Sequence, residues 1–108
     1  MAKTILIVED ELSMQRALKS KLEHAGYVVR AAVDGEEALA SLRASKPDLM
    51  LLDLIMPKMD GISVLRQVKS DEDLRAVPVV ILTNLSSGDK VAEAMQLGTF
   101  DFLVKANY

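Results

Sequence analysis

The chain has 108 residues, of which 50% are hydrophobic and 27% charged, so it can form the core of one domain (residues 1–108) and does not have the composition of a disordered segment. Its net charge of −3, with lysine and arginine scattered along the sequence, argues against a nucleic-acid-binding protein, because a duplex binder needs a clustered basic face. The absence of cysteine excludes disulfides and thiolate metal sites, and no apolar run is long enough for a membrane span or a signal-peptide core, so we expect a soluble, cytoplasmic protein.

The first half of the chain alternates short apolar runs with segments of helical spacing, and continuous apolar runs of this length predict strands that are buried on both faces. The apolar run Ile5–Val8 predicts a buried strand, and the helix after it ends at Gly26. The run Tyr27–Ala32 predicts the second strand. The second helix begins at Asp34 and has Glu37 three residues later, a variant of the capping box. The apolar positions that indicate these two helices are Leu18, Leu22, Ala25, Ala38, Leu39 and Leu42.

The second half repeats the alternation. The run Leu49–Leu52 predicts the third strand, and the run Val79–Leu82, which begins after Pro78, predicts the fourth. The fourth helix ends at Gly98, and Phe100–Val104 predicts the fifth strand. The apolar positions that indicate the third and fourth helices are Ile62, Leu65, Val68, Val91, Ala92 and Met95.

Strands that alternate with helices predict right-handed crossovers and a parallel sheet. Five such strands match an α/β, flavodoxin-like, doubly wound fold with strand order 2-1-3-4-5 and helices on both faces. In folds of this class, ligands bind beyond the carboxyl ends of the strands. The residues that follow the strands are therefore the candidates for function.

Charged or reactive side chains follow four of the five strands: Glu9 and Asp10, then Asp53, Thr83 and Lys105. Three carboxylates at one edge repel each other unless a cation binds between them. Oxygen ligands without cysteine or histidine favour Mg²⁺. A carboxylate can also form an aspartyl phosphate, whose formation needs mainly positioning and neutralisation of charge. Because Glu9 and Asp10 are neighbours and suit a metal pair, Asp53 is the predicted phosphoacceptor.

These residues lie within segments that resemble the receiver domain of two-component response regulators. The matching segments are ILIVEDE (residues 5–11), DGEEAL (34–39), PDLMLLDLIMPKMDG (47–61), PVVILT (78–83) and LGTFDFLVK (97–105). They cover nearly the whole chain in the family's order.

The resemblance implies a role for each matched residue. Glu9, Asp10 and Asp53, with the backbone carbonyl of Ile55, would hold Mg²⁺. Asp53 would be phosphorylated by a partner histidine kinase or a phosphotransfer protein. Thr83 and Lys105 would contact the phosphoryl group, and Phe102 would be an aromatic switch that turns inward on activation. Phosphorylation would then change partner affinity at the face of helix 4 and strand 5. The residues proposed for that face are Lys90, Glu93, Asp101 and Phe102.

The sequence departs from the family pattern near the site. Ala106 follows the lysine where the family usually has proline, often in a cis bond, which leaves the geometry of that turn open. Asn84 replaces a small residue after Thr83 and would narrow access, and Phe102 has no hydroxyl.

The family's fifth helix is missing or truncated, because the sequence stops at Tyr108. We therefore expect apolar surface to be exposed beside helix 1. One interpretation is a trimmed chain or a disordered tail, and another is that a second protomer or domain covers the face. A homodimer through helix 4 and strand 5, and an output domain or output protein, are further partners that the resemblance implies.

Three other functions compete with that of a phosphorylated receiver domain. A phosphatase or phosphotransferase of the haloacid dehalogenase type needs a second acid two residues after the nucleophile. Ile55 occupies that position here, so we expect a regulatory domain and not an enzyme, with at most slow loss of its own phosphoryl group. A flavin-binding module is excluded because Glu9, Asp10 and Glu11 would repel the flavin phosphate. A receiver-like interaction module that is not phosphorylated stays as the alternative.

Overall fold

The computed structural model describes residues 2–56, 59–83 and 88–105. Five strands alternate with four helices along these residues. In chain order the elements are β1 (Thr4–Val8), α1 (Leu12–His24), β2 (Val28–Ala32), α2 (Gly35–Ala44), β3 (Leu49–Asp53), α3 (Gly61–Ser70), β4 (Val79–Thr83), α4 (Gly88–Leu97) and β5 (Asp101–Val104). In the described part of the chain, no helix is long and apolar enough to cross a membrane.

All five strands form one parallel sheet in the order β2-β1-β3-β4-β5. The register places Val8 beside Leu52 and Asp53 beside Leu82. It also places Thr83 beside Val104. The strands therefore end at similar heights on one edge, and the predicted flavodoxin-like fold and strand order are confirmed.

The sheet separates two hydrophobic cores. The larger core lies between the sheet and helices α2, α3 and α4, and it includes Leu6, Leu42, Met50, Leu65 and Ile81, each fully or almost fully buried. The smaller core lies under α1. The helices thus cover both faces, but very unequally.

The prediction that every strand is buried on both faces was wrong for the two edge strands. In β2 only Ala32 is buried, and β5 has no buried residue. An edge strand has a neighbour on one side only, and β5 is also uncovered on the α1 face of the sheet. An apolar run alone does not distinguish such a strand from a central one.

Aspartate side chains cap the N-termini of α2 and α3. Asp34 accepts a hydrogen bond from the Glu37 backbone N–H (2.9 Å), so the predicted cap is confirmed. The Glu37 carboxylate accepts from the N–H of Val33, the residue before the cap (3.1 Å), and not from the cap residue as in a standard capping box. Asp60 caps α3 in the same way, accepting from the Ser63 N–H at 2.8 Å. Contrary to the predicted stripe, α4 packs through Ala94 with half-buried Val91 and Leu97, whereas Ala92 and Met95 are exposed.

Apolar surface is exposed beside α1, as the sequence predicted. A groove of about 260 Å³ lies there between α1 and β5, next to the first residues of that strand. Phe100 is 76% exposed at this groove, and Tyr27 and Leu103 are each more than a third exposed. We call this feature the sheet groove, and its lining residues are Ile5, Leu22, Tyr27, Leu49, Leu51, Val80, Phe100, Asp101 and Leu103.

Candidate functional site

Four strands bring the predicted site residues to the same edge of the sheet. β3 is the central strand, and Asp53 is its last residue. Glu9 follows β1 on one side of it, and Thr83 ends β4 on the other side. Lys105 follows β5, the next strand along. The adjacency of these strands assembles residues that are up to 96 positions apart in the sequence.

Three carboxylates form a compact cluster at this edge. Oxygen atoms of Glu9, Asp10 and Asp53 all lie within 4.8 Å of one another. Glu9 is fully buried and Asp53 is 4% exposed, whereas Asp10 is exposed. Two of the three carboxylates are therefore buried and the third lies at the surface. The cluster is open to solvent on the side of Asp10.

Lys105 forms ion pairs with both buried carboxylates of this cluster. Its Nζ lies 2.7 Å from Glu9 Oε1 and 3.1 Å from Asp53 Oδ2. Burial acts to lower the pKa of Lys105, but the two carboxylates outweigh it, so the pKa is raised and the ammonium group stays charged. Lys105 thus brings one fixed positive charge to a pair of carboxylates.

Glu9 nevertheless has a strongly perturbed pKa. Burial, followed by the neighbouring Asp53, raises the pKa of Glu9 to about 7, while Lys105 acts in the opposite direction. One lysine therefore does not compensate fully for the negative charge at this edge. A divalent cation would supply the missing charge, and the donors are oxygens without sulfur or imidazole, which fits Mg²⁺.

The Asp53 carboxylate is oriented by its own strand end. Asp53 Oδ1 accepts a hydrogen bond from the Ile55 backbone N–H (3.2 Å), while Oδ2 faces Lys105. The Ile55 side chain is 52% exposed at the rim of the site. The role of the Ile55 carbonyl as a metal ligand stays a prediction.

Thr83 and Phe102 differ in their placement. Thr83 is 4% exposed at the end of β4, with Asp53 on one neighbouring strand and Lys105 following the other. Phe102 is 43% exposed on the edge strand β5. The switch roles predicted for both residues stay predictions. Asn84 and Ala106, on which the expectations about access and the turn were based, lie outside the described residues.

Two residues near the site were missed by the sequence analysis. Gly61 begins α3 against the end of β3, and a Cβ atom built there would lie 2.6 Å from Leu54 Cα, so only glycine fits this approach. Gln15 is buried in α1 next to Glu9 and Asp10, which we call the acidic segment. A signal existed for Gln15, because it lies three residues before Leu18 and so falls on the apolar face of the helix.

The sequence matches one protein family over nearly its whole length. A family model described as the response regulator receiver domain matches residues 5–107. A probable transcriptional regulator ycf27 from Porphyridium aerugineum is 41% identical over 101 residues, which cover 94% of this chain and 41% of that protein. The chain spans about two fifths of the length of the first curated relatives it matches.

Solved structures share the fold and a considerable part of the sequence. The chemotaxis protein CheY4 of Vibrio cholerae has a TM-score of 0.89 and 31% identity, covering 97% of this chain and 88% of that chain. The phosphorylated cyanobacterial phytochrome response regulator RcpA has a TM-score of 0.89 and 35% identity, covering 96% of this chain and 81% of that chain.

Proposed function

The chain belongs to the response regulator receiver domain family, whose members are phosphoacceptor switches in signalling, and we propose that Asp53 is the acceptor in this chain. The phosphoryl donor would be a histidine kinase or a phosphotransfer protein, and the reaction would depend on Mg²⁺. The observation that carries this proposal is the placement of Asp53. It ends the central strand, is almost fully buried, and lies 3.1 Å from a lysine and within 4.8 Å of two further carboxylates.

In the proposed reaction an Asp53 carboxylate oxygen attacks the phosphorus of a phosphohistidine. The new O–P bond forms as the P–N bond breaks, and the imidazole nitrogen keeps the bonding electrons. Asp53 Oδ1 is held by the Ile55 N–H, so the carboxylate is already oriented before the donor arrives. Lys105, whose pKa is raised, is charged at neutral pH and can attract the phosphoryl oxygens.

Glu9, Asp10 and Asp53, with the backbone carbonyl of Ile55, are the residues that would hold Mg²⁺. When bound, the ion neutralises charge on the phosphoryl oxygens. Glu9 contributes to binding only as a carboxylate, so a proton bound there must first leave. Thr83, which ends β4 beside the acceptor strand, would donate its hydroxyl to the phosphoryl group.

Phosphorylation would act as a switch by adding charge at the strand edge and shifting a two-state equilibrium. We propose the α4 and β5 face as the surface that responds, through Lys90, Glu93, Asp101 and Phe102. In the described structure, Glu93 pairs with Arg66 of α3, which ties α4 to its neighbour. An output domain or protein, or a second copy of the chain, would bind this face. Because histidine kinases draw their phosphoryl group from ATP, we place the domain in the cytoplasm.

We further propose that the domain is a regulatory acceptor and not an enzyme that turns over external substrates. Turnover needs a group that moves a proton near the aspartyl phosphate. The residue two positions after Asp53 is Ile55, whose side chain has no titratable group. Leu85, two positions after Thr83, is apolar as well. Because neither Ile55 nor Leu85 can orient an attacking water molecule, we predict slow hydrolysis of the phosphoryl group.

Intact-protein mass spectrometry after incubation with acetyl phosphate tests the acceptor. We expect a single phosphoryl adduct that requires Mg²⁺, disappears with chelator, and is absent in Asp53→Asn. Asp73→Asn, which changes an exposed aspartate after α3, is the matched control and should keep the adduct. An adduct that persists in Asp53→Asn, or the absence of any adduct even with the partner kinase, would contradict the proposal.

A further inference from the structure

Gln15 is a buried polar side chain that the proposed chemistry does not use. It is 9% exposed in the first turns of α1, on the face that also carries Leu18. A glutamine at such a position must find partners for its amide, since a buried amide without hydrogen-bond partners destabilises the folded state. Its partners therefore indicate what the residue is for.

Both partners are backbone carbonyls at the site edge of the sheet. Gln15 Nε2 donates to the Glu9 carbonyl oxygen at 3.0 Å and to the Ala32 carbonyl oxygen at 3.1 Å. The Ala32 oxygen also accepts from the Glu9 N–H at 3.0 Å. One amide group thus joins the ends of β1 and β2 to helix α1.

These contacts hold the backbone of Glu9 from both sides. Its N–H is bonded to Ala32, and its carbonyl is bonded to Gln15. That carbonyl belongs to the peptide unit that links Glu9 to Asp10. Because the peptide unit is planar, fixing its oxygen fixes the direction in which Asp10 leaves the strand.

The acidic segment needs such support because its carboxylates repel each other. Glu9, Asp10 and Asp53 present oxygens within 4.8 Å, and Lys105 supplies a single positive charge to the buried pair. Without a restraint on the backbone, repulsion would favour rotation of Asp10 away from the cluster. Gln15 restrains the backbone between Glu9 and Asp10 through a hydrogen bond to the Glu9 carbonyl. Because the amide of Gln15 is neutral, this restraint adds no further charge to the site.

We propose that Gln15 is a positioning residue that holds Glu9 and Asp10 in the arrangement that binds the divalent cation. This assignment rests on the proposed function, since the cation matters because it supports phosphorylation of Asp53. It predicts that loss of the Gln15 amide weakens cation binding without direct contact between Gln15 and the ion.

The test compares wild-type protein with Gln15→Met, which keeps the length of an unbranched side chain and removes both N–H donors. Binding of Mg²⁺ is measured by isothermal titration calorimetry, and exchange of the Glu9 amide hydrogen is measured by NMR in chelator. We expect Mg²⁺ affinity to fall about 10-fold, the lower range for outer partners of metal ligands. We also expect the Glu9 amide to exchange faster in the absence of metal.

Leu18→Ala is the matched control, because Leu18 is buried on the same face of the same helix and has no polar contact with the site. It should lower the stability of the fold but leave Mg²⁺ affinity unchanged at a temperature where the protein is folded. Gln15→Asn, whose amide is one methylene too short, should weaken binding in the same direction and replaces Gln15→Met if that variant does not fold.

Unchanged Mg²⁺ affinity in the folded Gln15 variants would overturn the assignment, as would a loss of affinity in Leu18→Ala of the same size. Failure of the proposed function gives a different result, since wild-type protein would then bind no Mg²⁺ or carry no phosphoryl group. In that case, hydrogen exchange of the Glu9 amide still tests whether Gln15 positions Glu9 and Asp10. If the Glu9 amide exchanged no faster in the Gln15 variants than in Leu18→Ala, the positioning role would be overturned.

Discussion

Glu9 is fully buried beside a second carboxylate, and this placement determines how its charge responds to pH. Its pKa is raised from 4.5 to about 7, first by burial and then by Asp53. Between these two pH values the folded protein keeps a proton on Glu9 that the unfolded chain has already released. The folded state then binds more protons than the unfolded state, so stability falls as pH rises through this window.

In metal-free protein, this dependence on pH should appear as a difference in stability between wild type and a variant without the Glu9 carboxylate. The difference in free energy of unfolding between wild type and Glu9→Gln should shift against wild type between pH 5 and 7, by up to about 1.4 kcal/mol per pH unit. Denaturant unfolding in chelator at several pH values measures it. Glu36→Gln, an exposed position on α2, should show no such trend. A difference that stays constant, or that favours wild type as pH rises, would show that Glu9 is not protonated in the folded state.

At the scale of secondary-structure elements, the connection from β3 to α3 sets the position of the acceptor. The Gly61 N–H donates to the Leu54 carbonyl at 2.9 Å, which brings the start of α3 against the residue after Asp53. The cap of α3 by Asp60 fixes the helix at the same point. The helix start therefore supports the strand end from which the Asp53 carboxylate projects.

Gly61→Ala should disturb this approach. The new methyl group would meet backbone atoms of Asp53 and Leu54, which cannot move as a flexible side chain can. We expect a loss of about 1–3 kcal/mol in stability together with slower phosphorylation of Asp53. Thermal unfolding and the rate of adduct formation measure the two effects.

Gly88→Ala is the control for this change, because a Cβ atom there meets nothing within 4 Å and the residue lies in α4. It should be neutral or stabilising by up to about 1 kcal/mol. If both variants behaved alike, the contact between Gly61 and the end of β3 would not be what constrains the site.

The elements themselves could largely be predicted from the sequence, since buried strands and helix stops leave local signals. Gly26 and Gly98 end the first and last helices with positive φ, as expected from their positions. The exposure of Val28 and Phe102 was missed, because a local apolar run predicts burial alike for edge and central strands; the predicted strand order, which puts both residues on edge strands, was the signal against it. The bonds of Gln15 depend on the distance between α1 and the ends of two strands, which spacing along the chain does not encode.

At the scale of the whole molecule, the two faces of the sheet are unequal. Three helices cover the larger core, whereas within the described residues α1 alone covers the other face. The sheet groove remains open beside it, with Phe100 at 76% exposure. Contiguous apolar surface of this kind binds apolar partners and dyes, whereas scattered single apolar residues do not.

Because of this asymmetry, an apolar ligand should bind to one face of the sheet only. The folded chain of residues 1–108 should bind an environment-sensitive apolar dye in the sheet groove, and Phe100→Ser should reduce the fluorescence without lowering the melting temperature, because the side chain is mostly in solvent. Leu12→Ser is the matched control, since Leu12 is 50% exposed but does not line the groove. It should leave the fluorescence unchanged. Equal losses of fluorescence in the two variants would mean that the dye responds to exposed apolar residues in general. A loss of fluorescence confined to Phe100→Ser would place the apolar binding surface on the α1 face of the sheet, opposite the three helices that enclose the larger core.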